Sequence, residues 1–220
     1  MKEFCTVIID YIKKPDTWVA IATIATSLFA LFQTKKQIKI SNKQQLFDRR
    51  IEKYEFLKDI ITAYSRSQSL YDENGKNTTA IYANFTTITD IPLFNDIDIE
   101  WGKSLDDKQI KYFFEQLEII KRNADEIKFI WNGNDAKLLS EFVDCYYALL
   151  KSTYLQFNFI NSIYKRNESE NDGEYKYEDE ANRYMQISHL NTSLDNIEQK
   201  YQEIQDSKAI EKLAKSIKLN

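Results

Sequence analysis

One stretch of this sequence differs from the rest because it carries no charge. It extends from Thr17 to Thr34, reads TWVAIATIATSLFALFQT, and lies between Asp16 and Lys35. As a helix with a rise of 1.5 Å per residue it would be about 27 Å long, close to the hydrocarbon thickness of a bilayer. The pattern predicts a transmembrane helix over residues 17–34. Two alternatives stay open, because a cleaved signal segment and a buried core helix have similar compositions.

Beyond this span, apolar residues recur at helical spacing almost to the end of the chain. The predicted fold class is all-α, with one N-terminal transmembrane helix followed by a cytosolic bundle of long helices. A capping box of Ser104 and Asp107 is expected to open one helix, and Asn132-Gly133-Asn134 to end it. The last helix is predicted over residues 179–219, and residues 76–103 are left open between strand and helix.

The sequence predicts three segments: residues 1–16, the span over residues 17–34, and a cytosolic helical domain over residues 35–220. Apolar residues between Phe4 and Ile12 recur at helical spacing, which is typical of a helix lying in the membrane interface. Basic residues are more frequent just after the span than before it, which predicts an inner-membrane protein with a cytoplasmic C-terminal domain. Cys5 and Cys145 are too few to indicate a disulfide framework.

The predicted span has one side of small and hydroxyl-bearing residues, which we call the small face. Small side chains let membrane helices approach closely, and hydroxyl groups can bond across the contact. The face is therefore predicted either to line or pack a ring of helices, or to be the ordinary surface of a single anchor. Its members are Ala20, Thr23, Ser27, Ala30 and Thr34.

A basic cluster follows the span directly. Such residues can bind anionic lipid headgroups with about 1 kcal/mol each, although they can also bind RNA or simply face solvent. The cluster consists of Lys35, Lys36, Lys39, Lys43, Arg49 and Arg50, and Lys53 continues its polar side.

Candidate chemistry is sparse, because the chain has one histidine, two cysteines and four scattered glycines. We expect no cofactor and no metal site of the usual His/Cys kind. Acid–base chemistry near neutral pH would depend on His189. Arg183 precedes it by six residues and fits the loose Arg-x4–6-His pattern of HEPN ribonucleases, although Tyr184 replaces the usual polar residue. On an ideal helix the two side chains point about 120° apart. The pair is therefore expected to meet only across a kink or between two chains. The alternative is that His189 is an ordinary surface or capping histidine.

The uncharged span, its basic continuation over Lys35–Arg50 and the divergent Arg183/His189 pair together resemble the membrane accessory protein of type VI-B CRISPR loci. The resemblance implies an oligomeric membrane pore that strengthens RNA-guided antiviral defence, with the small face lining or packing the pore. It also implies certain partners: the lipid bilayer, further copies of the chain, and an RNA-guided CRISPR nuclease or its RNA products.

The segment over residues 43–61 carries a second, less specific resemblance. Its Phe47-Asp48-Arg49-Arg50 start is similar to the post-membrane helix of many uncharacterised single-span bacterial and prophage proteins. This resemblance implies a membrane-tethered binding module or scaffold with no enzymatic activity.

Overall fold

The computed structural model describes residues 15–68, 85–97, 105–169 and 176–217. In these ranges the chain forms helices joined by turns, with no strand, which confirms the all-α prediction. The predicted interfacial segment before Pro15 lies outside the described residues. The elements are α1 (Pro15–Ser67), a 3-10 turn (Pro92–Phe94), α2 (Asp107–Ile130), α3 (Asn134–Ser169), α4 (Lys176–Ser207) and α5 (Ala209–Ser216).

The chain divides into two units. The first contains Met1–Asp48 with Leu219–Asn220, and the second contains Arg49–Lys218. The helix α1 begins in the first unit and ends in the second. Its side chains from Trp18 to Leu46 are exposed, whereas its last turns take part in the core of the second unit.

The core of the second unit is built from one apolar side of each helix. In α1 the buried residues Leu57, Ile60 and Tyr64 follow one another at spacings of three and four, the spacing that places side chains on one face. The predicted turn between α2 and α3 is confirmed, and Gly133 adopts a φ of 110° there. The other helices contribute Phe113, Leu117, Ile120, Ile127, Leu139, Phe142, Tyr146, Leu149, Ile197, Ile204 and Leu213.

The segment over residues 85–97, which the sequence left undecided, contributes to this core and forms a helical turn followed by the 3-10 turn. Phe85 and Ile88 are fully buried. The Phe85 ring stacks on the Phe157 ring, with 4.9 Å between the ring centroids, and the Tyr146 hydroxyl donates a hydrogen bond to the Ile88 carbonyl. Burial of its apolar residues against α3 fixes this segment, so its β-branched composition did not decide its structure.

Two predicted helix ends are wrong. The capping box of α2 is formed by Asp106 and Gln109, because the Asp106 carboxylate accepts from the Gln109 N–H and Gln109 bonds back to the Asp106 N–H. The last helix is also interrupted, since Lys208 adopts a left-handed conformation with φ 53°. The break separates α4 from α5, whose Ala209 and Leu213 belong to the core.

Candidate functional site

Among the described helices, α1 alone is long and apolar enough to cross a membrane, and its uncharged apolar stretch lies in its N-terminal part. None of its apolar window is buried against the rest of the chain. The exposed fractions of Ile24, Leu28 and Phe32 are 61%, 62% and 72%. A core helix of a soluble protein would be covered, and a continuous apolar surface of this size calls for lipid or another protein chain. The exposure therefore favours a membrane segment over a buried helix.

The hydroxyl groups of this segment are bonded to its own backbone. Thr23 Oγ1 donates to the Val19 carbonyl at 2.7 Å, Ser27 Oγ to the Thr23 carbonyl at 2.7 Å, and Thr34 Oγ1 to the Ala30 carbonyl at 2.9 Å. The hydrogens of these hydroxyls are satisfied within the helix, as hydrocarbon requires of any polar group. Their oxygens keep free acceptor capacity towards a neighbouring helix.

Side-chain size divides the span into two sides. At about 100° per residue, the small face occupies an arc of about 80°. Ile21, Leu28 and Phe32 lie on the opposite side of the helix. One side is therefore suited to close contact with another helix, and the other to contact with lipid chains.

The predicted basic cluster separates into a lysine group and two arginines with different surroundings. Lys35, Lys36, Lys39 and Lys43 are exposed and fall within an arc of about 100°, which we call the lysine face. Arg49 is exposed as well. Arg50 is half-buried instead, and its guanidinium donates to the carbonyls of Ile130 and Ser216, each at 3.4 Å. Those carbonyls lie at the C-terminal ends of α2 and α5, where the helix dipole favours a cation.

Lys53 lies inside the fold, although the sequence placed it on the basic polar side of its helix. Its Nζ donates to Asn123 Oδ1 at 2.6 Å and pairs with Glu52 and Glu126, each at 2.8 Å. Burial lowers the Lys53 pKa, but the hydrogen bonds to Glu126 and Glu52 outweigh it, so the pKa is raised overall. The residues of this network line an open cleft of about 570 Å³. The burial of Lys53 could have been predicted, because it lies four positions before Leu57 and therefore on the core face of the helix.

The structure does not bring the predicted catalytic pair, Arg183 and His189, together in one described site. His189 is exposed on α4, and its backbone carbonyl accepts a hydrogen bond from Ser193 Oγ at 3.0 Å. The side chain of Arg183 lies outside the described residues. The helix is continuous from residue 183 to residue 189, so the backbone offers no break that would bring the two positions together. The ribonuclease interpretation stays a prediction.

The described residues contain no group of three or more His, Cys, Asp or Glu side chains that could hold a metal ion. Cys145 is a free, half-buried thiol on α3. Burial raises the pKa of this thiol, which lowers its thiolate content at neutral pH.

Comparisons of the chain with protein-family models, with curated proteins and with solved structures found no significant match. The two resemblances drawn from the sequence therefore rest on the quoted residues alone.

Proposed function

We propose that this protein is a single-span membrane protein that assembles with copies of itself through the small face and permeabilises the membrane. Following the resemblance to the type VI-B accessory proteins, we place this activity in RNA-guided antiviral defence, on the inner membrane with the helical domain in the cytoplasm. An RNA-guided nuclease or its RNA products would be the partner that triggers it.

The observation that carries this proposal is that the part of α1 in the first unit has two sides of different chemistry. The small face and the lysine face are centred about 150° apart around the helix. The small face continues past the span as Ser41 and Gln45, which are uncharged and exposed. Parallel copies could thus approach along this side from Ala20 to Gln45 without bringing their lysines together, which like charges would otherwise oppose.

The hydroxyl bonds of the span are compatible with such an assembly. Because each donor is satisfied within its own helix, inserting a single chain leaves no unpaired hydroxyl hydrogen in the hydrocarbon. The same side chains would present oxygen atoms to water or to a neighbouring helix once several copies enclose a common space.

The test is dye release from vesicles that contain the full-length protein. Replacing Thr23 and Ser27 by leucine puts two bulky side chains on the small face and removes its two central hydroxyls, so we expect leakage to fall to background. The matched control replaces Thr26 and Gln33 by leucine, which makes the same kind of change about a quarter turn away. Full leakage from the first variant would contradict the proposal, and so would equal losses in the two variants.

A further inference from the structure

The lysine face lies on the same side of α1 as the large apolar side chains of the span. Counted at about 100° per residue, Lys35 and Lys39 fall within about 60° of Ile21, Leu28 and Phe32. The side of the helix that suits lipid chains thus changes directly into a positively charged surface where the apolar segment ends. All four lysines of this face are exposed.

The depth of the first three of these lysines matches the headgroup layer. On a helix with a rise of 1.5 Å per residue, Lys43 lies about 12 Å beyond Lys35 along the axis. Side chains of an α-helix tilt towards its N-terminus, so these lysines reach back towards the span. Since Lys39 lies only about 6 Å beyond Lys35, the ammonium groups of Lys35, Lys36 and Lys39 would lie in the interfacial layer, which is about 5–8 Å thick on each side of the hydrocarbon, and that of Lys43 just beyond it.

The sequence of this segment holds no carboxylate that could offset the charges of Lys35, Lys36 and Lys39. No acidic residue occurs between Asp16 and Asp48. Asp48 itself lies nearly opposite the lysine face. The segment is therefore a positive surface built beside a lipid-facing side, which distinguishes it from an ordinary solvated helix with mixed charges.

We infer that the lysine face binds the phosphate groups of anionic phospholipids in the leaflet at the C-terminal end of the span. This surface serves a single anchor as well as an assembled ring, so the inference does not depend on the proposed function. In a ring that packs through the small face, the bound lipids would lie on the outer perimeter. Each lysine near such a surface is expected to change lipid binding about fivefold at low salt.

The test measures which lipids accompany the full-length protein out of a mixed membrane. Vesicles of phosphatidylcholine with about one part in three of phosphatidylglycerol are dissolved in mild detergent, and the lipids that copurify with the protein are quantified by mass spectrometry. We expect phosphatidylglycerol to be enriched over its share in the vesicles. Changing Lys35, Lys36, Lys39 and Lys43 to glutamine should abolish this enrichment, and raising the salt concentration should reduce it in the wild type.

A charge-matched variant controls for the loss of four positive charges. It carries glutamine at four exposed lysines of the second unit, Lys58, Lys108, Lys151 and Lys215. We expect this variant to keep the enrichment. Enrichment that survives in the lysine-face variant, or that is lost equally in both, would overturn the inference. The milder pair Lys35→Gln with Lys39→Gln decides the question if the fourfold variant does not insert.

Two further readouts distinguish lipid binding from RNA binding and from a change in assembly. A gel shift with single-stranded RNA that disappears in the lysine-face variant, without phosphatidylglycerol enrichment in the wild type, would assign the face to nucleic acid and overturn the inference. The mass of the solubilised particle is measured on the same samples. An unchanged mass with lost enrichment supports lipid binding, and a monomeric wild type that still enriches phosphatidylglycerol would refute only the proposed assembly.

Discussion

Two cations of the second unit, Lys53 and Arg50, join parts of the chain that are far apart in the sequence. Lys53 bonds Asn123 in the interior, and Arg50 bonds the ends of two helices. The sequence placed both on an exposed basic surface near the membrane. A sequence pattern reports charge and spacing, whereas the burial of these side chains depends on Asn123 and Ser216, which are distant in the chain. Only the packed structure brings such partners together.

The pair formed by Glu141 and Lys200 gives a prediction at this scale. Lys200 Nζ lies 3.0 Å from a carboxylate oxygen of Glu141 and links α3 to α4. The hydrogen bond from Lys200 lowers the Glu141 pKa below its ordinary value of 4.5 and, reciprocally, raises the Lys200 pKa. Because both groups are partly exposed, we expect Lys200→Met to lower the free energy of unfolding at pH 7 by no more than about 1 kcal/mol.

The sign of the Glu141 shift sets the pH dependence of this effect. A carboxyl group whose pKa is lower in the folded state stabilises the fold above its unfolded pKa, and this contribution disappears as the pH falls through the folded value. The difference between wild type and Lys200→Met should thus shrink below about pH 4.5. Urea unfolding in detergent at pH 7 and pH 3.5 measures it, with the exposed Lys151→Met as the control. A difference that is the same at both pH values would show that Lys200 acts through packing.

At the scale of the helices, the apolar periodicity of the sequence predicted most of the helices and the turn between α2 and α3. The α2–α3 hairpin and its turn at Gly133 follow from local signals, namely apolar spacing and a glycine in a left-handed conformation. The break after Ser207 did not, because Lys208 is neither glycine nor asparagine, the residues that usually end a helix in this way. The burial of Ala209 and Leu213 stabilises this conformation, and that burial is a tertiary effect.

Lys208 supplies a prediction about this break. A non-glycine residue with φ 53° carries a conformational cost of about 1 kcal/mol or more, which glycine avoids. We expect Lys208→Gly to raise the free energy of unfolding by up to about 1 kcal/mol. The gain is reduced by the larger conformational entropy that glycine loses on folding. Urea unfolding of the two proteins measures the change. The neighbouring helical and exposed Asp206 is the control, since Asp206→Gly should destabilise the protein. A Lys208→Gly variant that is destabilised by as much would show that the left-handed conformation costs nothing here.

For the whole molecule, the sequence indicated a membrane segment and a helical domain, and the structure agrees in coarse form. It describes an uncovered apolar helix together with a domain that has its own core. The number of chains in the functional particle does not follow from either, because a single chain contains only one side of each contact between copies. The small face and the lysine face distinguish a side of α1 that is suited to a neighbouring helix from a side that is suited to lipid.

The mass of the detergent-solubilised particle tests the central claim most directly. It can be measured by light scattering coupled to size-exclusion chromatography and corrected for bound detergent, with Thr23→Leu/Ser27→Leu as the comparison. The account predicts one closed assembly of many chains for the wild type and smaller particles for the variant. A wild type that is a monomer or dimer would contradict it, because one or two spans cannot enclose a water-filled path.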